Sequence, residues 1–227
     1  MYENKRLTYL ADGARGIDGL LQTQIAAFLP AGRLGRVLDY GAGNSPYRQL
    51  LDCDRYVAAD LSQNVAGSID HLIEPGHRLP IEDGAFDVIL LFDVLEHVPD
   101  PDFVLGEIRR LIAPGGRLLV SVPFLYREHE TPHDIARYTA FGMRELLRRQ
   151  NADVVRMAKV GNAYYTLLSL FLERGIVNGE RSRLGLAGRA LNRLLRALVP
   201  LLSPLLSKPP RDDDGVYHHL LLEAGFR

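Results

Sequence analysis

Gly41 and Gly43 frame a tight turn, and Asp60 stands 19 residues beyond the first of them. Glycine at such a turn lets backbone approach a ligand where a Cβ would collide. A carboxylate at the end of the next strand can accept hydrogen bonds from both hydroxyls of a ribose. The plainer alternative is a turn glycine pair followed by a strand-end aspartate. A second group is Glu128-His129-Glu130-Thr131-Pro132-His133-Asp134. His97, His129 and His133 are candidate bases, because a histidine near its ordinary pKa can exchange a proton at neutral pH. His129 and His133 are the candidate catalytic or acceptor-binding residues of this loop. The structural alternative there is a polar loop pinned by Asp134 and Arg137. A third group, Asp93, Glu96 and His97, has offsets of 3 and 4, which would put three ligand-type side chains on one helical face.

Elements that could position these groups alternate along the chain. Apolar spacing predicts a helix over 20–29, then a short buried strand over 36–40 that runs into the glycine turn. Pro46 suits the first turn of a following helix. Strands are expected at 56–59 and, weakly, 69–73. The segment 86–92 is almost wholly apolar and reads as a strand buried on both faces, as in a parallel sheet. A helix over 101–112, a strand over 117–122, a helix over 140–150 and a strand over 152–160 follow. After a helical, Leu- and Arg-rich stretch over 162–206, a last strand is expected at 216–222. This rhythm points to an open, doubly wound α/β sheet, with loop 128–134 at the carboxyl ends of the strands, where ligands bind.

The glycine turn lacks the dinucleotide pattern, since Pro46 stands where glycine or alanine would be needed. Val37-Leu38-Asp39-Tyr40-Gly41-Ala42-Gly43 instead resembles motif I of the class I S-adenosylmethionine-dependent methyltransferases. Leu79-Pro80-Ile81-Glu82-Asp83-Gly84-Ala85-Phe86-Asp87, Phe92-Asp93-Val94-Leu95-Glu96-His97-Val98-Pro99-Asp100-Pro101 and Glu107 to Gly116 continue the resemblance, in the order of the type 11 group, over roughly 36–160. The resemblance implies a Rossmann-like methyltransferase fold: a mostly parallel seven-stranded sheet with a helical insertion before the last strand. It implies S-adenosylmethionine as cofactor, held by the Gly41 and Gly43 backbone, with Asp39 near the amino group and Asp60 on the ribose. Leu61 would pack on the adenine and the Phe92 backbone would serve the amino group.

Two positions depart from the pattern. Ser45 replaces a third glycine, and Pro75-Gly76 replaces an Asp-Ala that serves the adenine in many members, leaving Glu74 or a backbone carbonyl for that contact. Some methyltransferases that use a divalent ion carry Glu-Xaa-Xaa-Glu-His where this chain has Asp93, Glu96 and His97. Many relatives with Leu-Glu-His hold no metal, so no metal is assigned from the sequence.

The expected activity is methyl transfer to a small-molecule, glycan or lipid-linked acceptor, with oxygen the favoured atom. A non-catalytic protein binding S-adenosylmethionine or S-adenosylhomocysteine is the alternative. A formal net charge of −1 argues against a nucleic-acid partner. The single cysteine, Cys53, permits no internal disulfide, and Met1 to Arg6 lead into no apolar signal segment, so a cytoplasmic setting is expected.

Charge is unevenly spread. Residues 1–126 carry 11 Lys/Arg against 17 Asp/Glu, whereas 127–227 carry 16 against 11. Three regions are expected: a helical cap over 1–34, a cofactor-binding core over 35–161 and 212–227, and a cationic helical insertion over 162–211. Within the last, Ala187, Ala190, Leu191, Leu194, Leu195 and Leu198 share one predicted face, with Arg189, Arg193 and Arg196 opposite. That leucine face could pack on the domain or in a homodimer, or lie peripherally on a membrane through residues 185–206. Arg193, Arg196, Pro200 and Pro204 argue against a membrane span.

Overall fold

A computed structural model describes residues 17–172, 185–211 and 215–227. In chain order the elements are α1 (Ile17–Phe28), β1 (Arg33–Tyr40), β2 (Asp52–Asp60), β3 (His71–Leu72), β4 (Phe86–Phe92) and α2 (Pro101–Leu111). Then come β5 (Ile112–Pro123), α3 (Ala140–Arg149), β6 (Ala152–Val160), α4 (Ala163–Leu172), α5 (Gly185–Leu206) and β7 (His219–Phe226). The seven strands lie in the order β3-β2-β1-β4-β5-β7-β6. All neighbours pair in parallel except β7, which runs antiparallel to both β5 and β6. This is the doubly wound, mostly parallel sheet expected from the sequence.

Strand alternation sorts the apolar side chains between two layers. Leu38, Ile89, Leu91, Leu118, Val120 and Leu222 face one side, where Leu105, Ile108 and Leu111 of α2 and Met143 and Leu147 of α3 cover them. Val37, Val88, Leu90, Leu119 and Leu221 face the other, against Ile25 and Phe28 of α1. Both faces of β4 are therefore dry, which is why its sequence is apolar throughout rather than alternating.

Three expectations are corrected. No α-helix follows Pro46; the chain makes only a 3-10 turn at Arg48–Leu50 before entering β2 at Asp52. Residues 93–97 are not a regular helix, because Asp93 takes a left-handed φ of 53° and only Leu95–His97 form a 3-10 turn. The last strand starts later than expected, at His219 rather than 216.

α5 continues through Pro200 and Pro204. Pro204 has no N–H for the Pro200 carbonyl, and Ser203 Oγ donates to that carbonyl at 2.8 Å instead. The leucine face expected on this helix divides in two. Leu195, Val199 and Leu206 pack on Tyr165 and Leu172 of α4, while Leu194 and Leu201 remain 56% and 76% exposed. Residues 173–184 of the expected insertion and the first sixteen residues of the expected cap lie outside the described residues.

A buried ion pair fixes the segment that leads into β4. Glu107 of α2 accepts from the Leu79 N–H at 2.9 Å and pairs with Arg110 at 2.6 Å. Arg110 in turn donates to the carbonyls of Ile81 and Leu79 and to Asp83. Removing one partner of such a pair leaves the other charge uncompensated. Glu107→Gln is expected to lower unfolding stability by about 3 kcal/mol in denaturant melts.

Candidate active site at the carboxyl edge of the sheet

Parallel pairing of β2, β1, β4 and β5 brings the glycine turn, Asp60, Phe92 and Pro123 to one edge. Gly41 and Gly43 have φ of 80° and 56°, where glycine is the residue of least strain. A Cβ on Gly41 would stand 2.3 Å from Val94 Cγ2. The Gly41 and Ala42 N–H groups both donate to the Ala59 carbonyl, folding the turn back over β2. Ser45, standing where a third glycine would be, adopts φ 55° all the same.

Asp60 lies at the tip of β2, and its Oδ2 accepts from the Gly43 N–H at 2.7 Å. The strand-end carboxylate and the glycine turn are thus one unit. Asp39 is buried beneath the turn, where its carboxylate accepts from the Tyr56 hydroxyl. Burial and the neighbouring Asp39 charge push the Tyr56 pKa far above its usual value, so the phenol stays a donor. Leu61 is 54% exposed just past the strand. Phe92 ends β4 with its ring edge-on to Tyr47, 4.8 Å between centroids.

Across the edge from the glycine turn, the loop after β5 and the start of β7 supply a second constellation. Asp93 accepts from Ser121 Oγ at 2.8 Å and faces His219 Nε2 at 3.5 Å. Among the described residues, the ligand-type side chain that gathers with Glu96 and His97 is His129 rather than Asp93. Glu96 is fully buried, and its Oε1 lies 3.6 Å from His97 Nε2 and 3.7 Å from His129 Nε2. His97 and His129 stack edge to face at 4.7 Å, and Tyr126 packs on His129 at 5.0 Å and on His219 at 5.9 Å. His133 is exposed, and its carbonyl lies 3.2 Å from His97 Nδ1.

The loop bearing His129 is held by Asp134, which accepts from the His129 N–H and pairs with both terminal nitrogens of Arg137. Burial opposes ionisation of Asp134, but those donors outweigh it and hold its pKa at about 2. Burial likewise opposes charging of His129, while Glu96 and Asp134 favour it and prevail, so the His129 pKa is raised. His218 is the opposite case: burial and the adjacent His219 hold its pKa well below the usual value.

His218, His219, Ser121 and Tyr126 were not singled out from the sequence. The available signal was the pair of histidines heading the apolar run Leu220-Leu221-Leu222, since a strand that begins on two polar rings places them at its edge.

Residues 38–120 match the family model for a methyltransferase domain. The match covers a little over a third of the chain, which over that stretch is similar to a methyltransferase domain. A ubiquinone biosynthesis O-methyltransferase from Dechloromonas aromatica is 31% identical over 100 residues, covering 38% of this chain and 43% of the relative. The chain spans less than half the length of the curated relatives it matches. Among solved structures, the [4+2]-cyclase SpnF superposes with a TM-score of 0.59 at 19% identity, over 92% of this chain and 82% of that one. The 1,6-didemethyltoxoflavin-N1-methyltransferase of Burkholderia thailandensis superposes with a TM-score of 0.52 at 18% identity, over 98% and 82%. At such identities these structures bear on the fold alone.

The acid sensitivity of this edge follows from Asp134. A carboxylate whose pKa is depressed on folding contributes stability above its unfolded pKa, and that contribution is lost as pH falls through the folded value. Asp134→Asn is expected to cost about 2 kcal/mol at pH 7. In denaturant unfolding the gap from the parent should close between about pH 5 and about pH 2.

Proposed function

We propose that the chain binds S-adenosylmethionine at the glycine turn and transfers its methyl group to an oxygen of a small-molecule or lipid-linked acceptor. One observation carries this reading: a glycine turn hydrogen-bonded to a strand-end carboxylate, with a histidine-lined constellation across the same sheet edge. The Gly41 and Gly43 backbone would hold the methionine end, with Asp39 beneath the amino group and the Phe92 carbonyl beside it. Asp60 would accept from the ribose hydroxyls and Leu61 would cover the adenine. The sulfonium supplies its own leaving group, so the protein's task is to align the acceptor and manage its proton. His129 faces that task most directly, with His133 on the exposed part of the same loop. Several relatives are ubiquinone biosynthesis O-methyltransferases, which agrees with an oxygen acceptor.

Calorimetry with S-adenosylhomocysteine tests the cofactor site. Asp60→Ala is expected to weaken binding about thirty- to a hundredfold, the loss of a charge-assisted contact worth about 2–3 kcal/mol. Wild-type affinity in that variant would remove the ribose assignment. A homocysteine-release assay across hydroxyl, amine and lipid-linked acceptors tests transfer. His129→Ala should lose turnover by at least tenfold while keeping its affinity for S-adenosylhomocysteine. Binding without turnover on any acceptor would favour a non-catalytic role.

The acceptor surface extends, in this reading, onto the helices between β6 and β7. Tyr164, Leu167, Leu194 and Leu201 are each more than half exposed, and Leu191 and Phe171 stand open beside them. Arg193 and Arg196 are exposed on the opposite flank of α5. No described helix is long and apolar enough to cross a membrane. A leucine flank with arginines opposite instead suits shallow contact with an anionic lipid surface. Flotation with anionic vesicles should show binding that weakens with salt and falls in the Arg193→Gln, Arg196→Gln double variant. Indifference to vesicles, with a dimer in solution, would assign the leucines to a subunit contact.

A further inference from the structure

We propose that Glu96, His97 and His129 form a binding site for one divalent first-row transition-metal ion, whose remaining coordination positions face the acceptor. The second half of this statement rests on the methyl-transfer reading above; the first half does not.

The case starts from Glu96. Its side chain is wholly buried, and neither carboxylate oxygen has a hydrogen-bond partner. A buried carboxylate left without donors is strongly unfavourable unless a cation accompanies it. Glu96 Oε1 lies 3.6 Å from His97 Nε2 and 3.7 Å from His129 Nε2. Both separations are too long for a charged hydrogen bond, which would close to about 2.7–2.9 Å. They are close to the spacing of about 3.3–3.6 Å between neighbouring ligand atoms around an ion bound tetrahedrally at 2.0–2.2 Å.

The protons of the two rings point the same way. His97 Nδ1 lies 3.2 Å from the His133 carbonyl, and His129 Nδ1 lies 3.1 Å from Asp134 Oδ2. Both partners are acceptors only, so each ring places a proton on Nδ1. In a neutral imidazole that leaves a lone pair on Nε2, and both Nε2 atoms face the Glu96 carboxylate. The ligand atoms of the three residues all lie within 4.8 Å of one another. Three ligand atoms thus converge on one spot, where a cation between them would offset the buried carboxylate charge.

Support behind the rings is of the kind that metal-binding histidines require. An acceptor on the second nitrogen fixes the tautomer and strengthens the ligand. Asp134 does this for His129 while being clamped by Arg137. Glu130 Oε2 stands 3.7 Å from His97 Nε2 on the outer side, within reach of a fourth position. Two imidazoles and a carboxylate select Zn2+, Co2+ or Fe2+ over Mg2+ and Ca2+, which prefer all-oxygen shells. Three protein ligands leave room for an oxygen of the acceptor, and an ion there would orient a hydroxyl and favour its ionised form. His129 would then serve the acceptor as a ligand to the ion.

The test uses the tag-free full chain, stripped with a chelator and titrated with Zn2+ by calorimetry and with Co2+ by visible absorption. One equivalent is expected, with Co2+ d–d bands of a four- or five-coordinate nitrogen and oxygen site, and Mg2+ should not compete. Glu96→Gln and His97→Ala should each weaken Zn2+ by tenfold or more, and Asp134→Asn by a smaller factor. S-adenosylhomocysteine affinity and far-ultraviolet circular dichroism report whether each variant is folded. A stripped, folded parent that takes up no Zn2+ or Co2+ would overturn the proposal, as would unchanged affinity in folded Glu96→Gln and His97→Ala. If metal binds as described and no acceptor is methylated, the ion site stands and the methyl-transfer reading fails. If methyl transfer proceeds at full rate in chelator and no ion binds, the reverse holds.

Discussion

Parallel pairing of β1 with β2 on one side and β4 on the other sets the register on which everything else depends. Val37 to Tyr40 lie between Tyr56 to Ala59 and Val88 to Leu90, in a layer dry on both faces. In a parallel sheet every strand ends on the same edge, so the backbone groups and side chains just past those ends share one surface. The glycine turn, Asp60 and Asp93 are neighbours for that reason. A slip of one residue would turn Asp39 out of its position under the turn and exchange the buried sets of the two layers.

Polar groups at that edge are held by partners from distant parts of the chain. Asp39 is met by Tyr56 from the adjacent strand, and Asp93 by Ser121 from β5. Asp134 ties the His129 loop to Arg137, and Ile135 and Ala136 donate their N–H groups to the Glu96 carbonyl. Each contact restrains a loop that would otherwise move independently. The result is an ordered chain of rings, from His97 through His129 and Tyr126 to His219, along that edge. Left-handed φ angles at Ser45, Asp93 and Glu130 fall in the same region. Strain of that kind persists where surrounding contacts over-determine the backbone.

β7 contributes in a different way. It enters antiparallel between β5 and β6, so its first residues, not its last, reach the carboxyl edge of its neighbours. His218 and His219 are delivered there from the far end of the chain. Gly161 allows that approach, since a Cβ on it would stand 2.6 Å from His218 Cβ.

Much of the frame was legible in order along the chain. The apolar run at 86–92, the glycine pair, Asp60 and the helices at 101–112 and 140–150 all rest on local rules, namely side-chain period, turn stereochemistry and capping. Asp100 and Thr139, for instance, cap α2 and α3 through their own side chains. The site was legible only in part. Spacing grouped Asp93 with Glu96 and His97, yet one left-handed residue turned Asp93 toward β5 and β7. The partner that Glu96 does meet, His129, is 33 positions away, and no local period encodes that distance. The leucines of α5 divide for a similar reason: amphipathic spacing names the apolar residues, whereas the position of α4 decides which of them are covered. Local steric and periodic constraints are written residue by residue, but convergence of side chains across a sheet edge depends on strand order, which is set only when the whole layer packs.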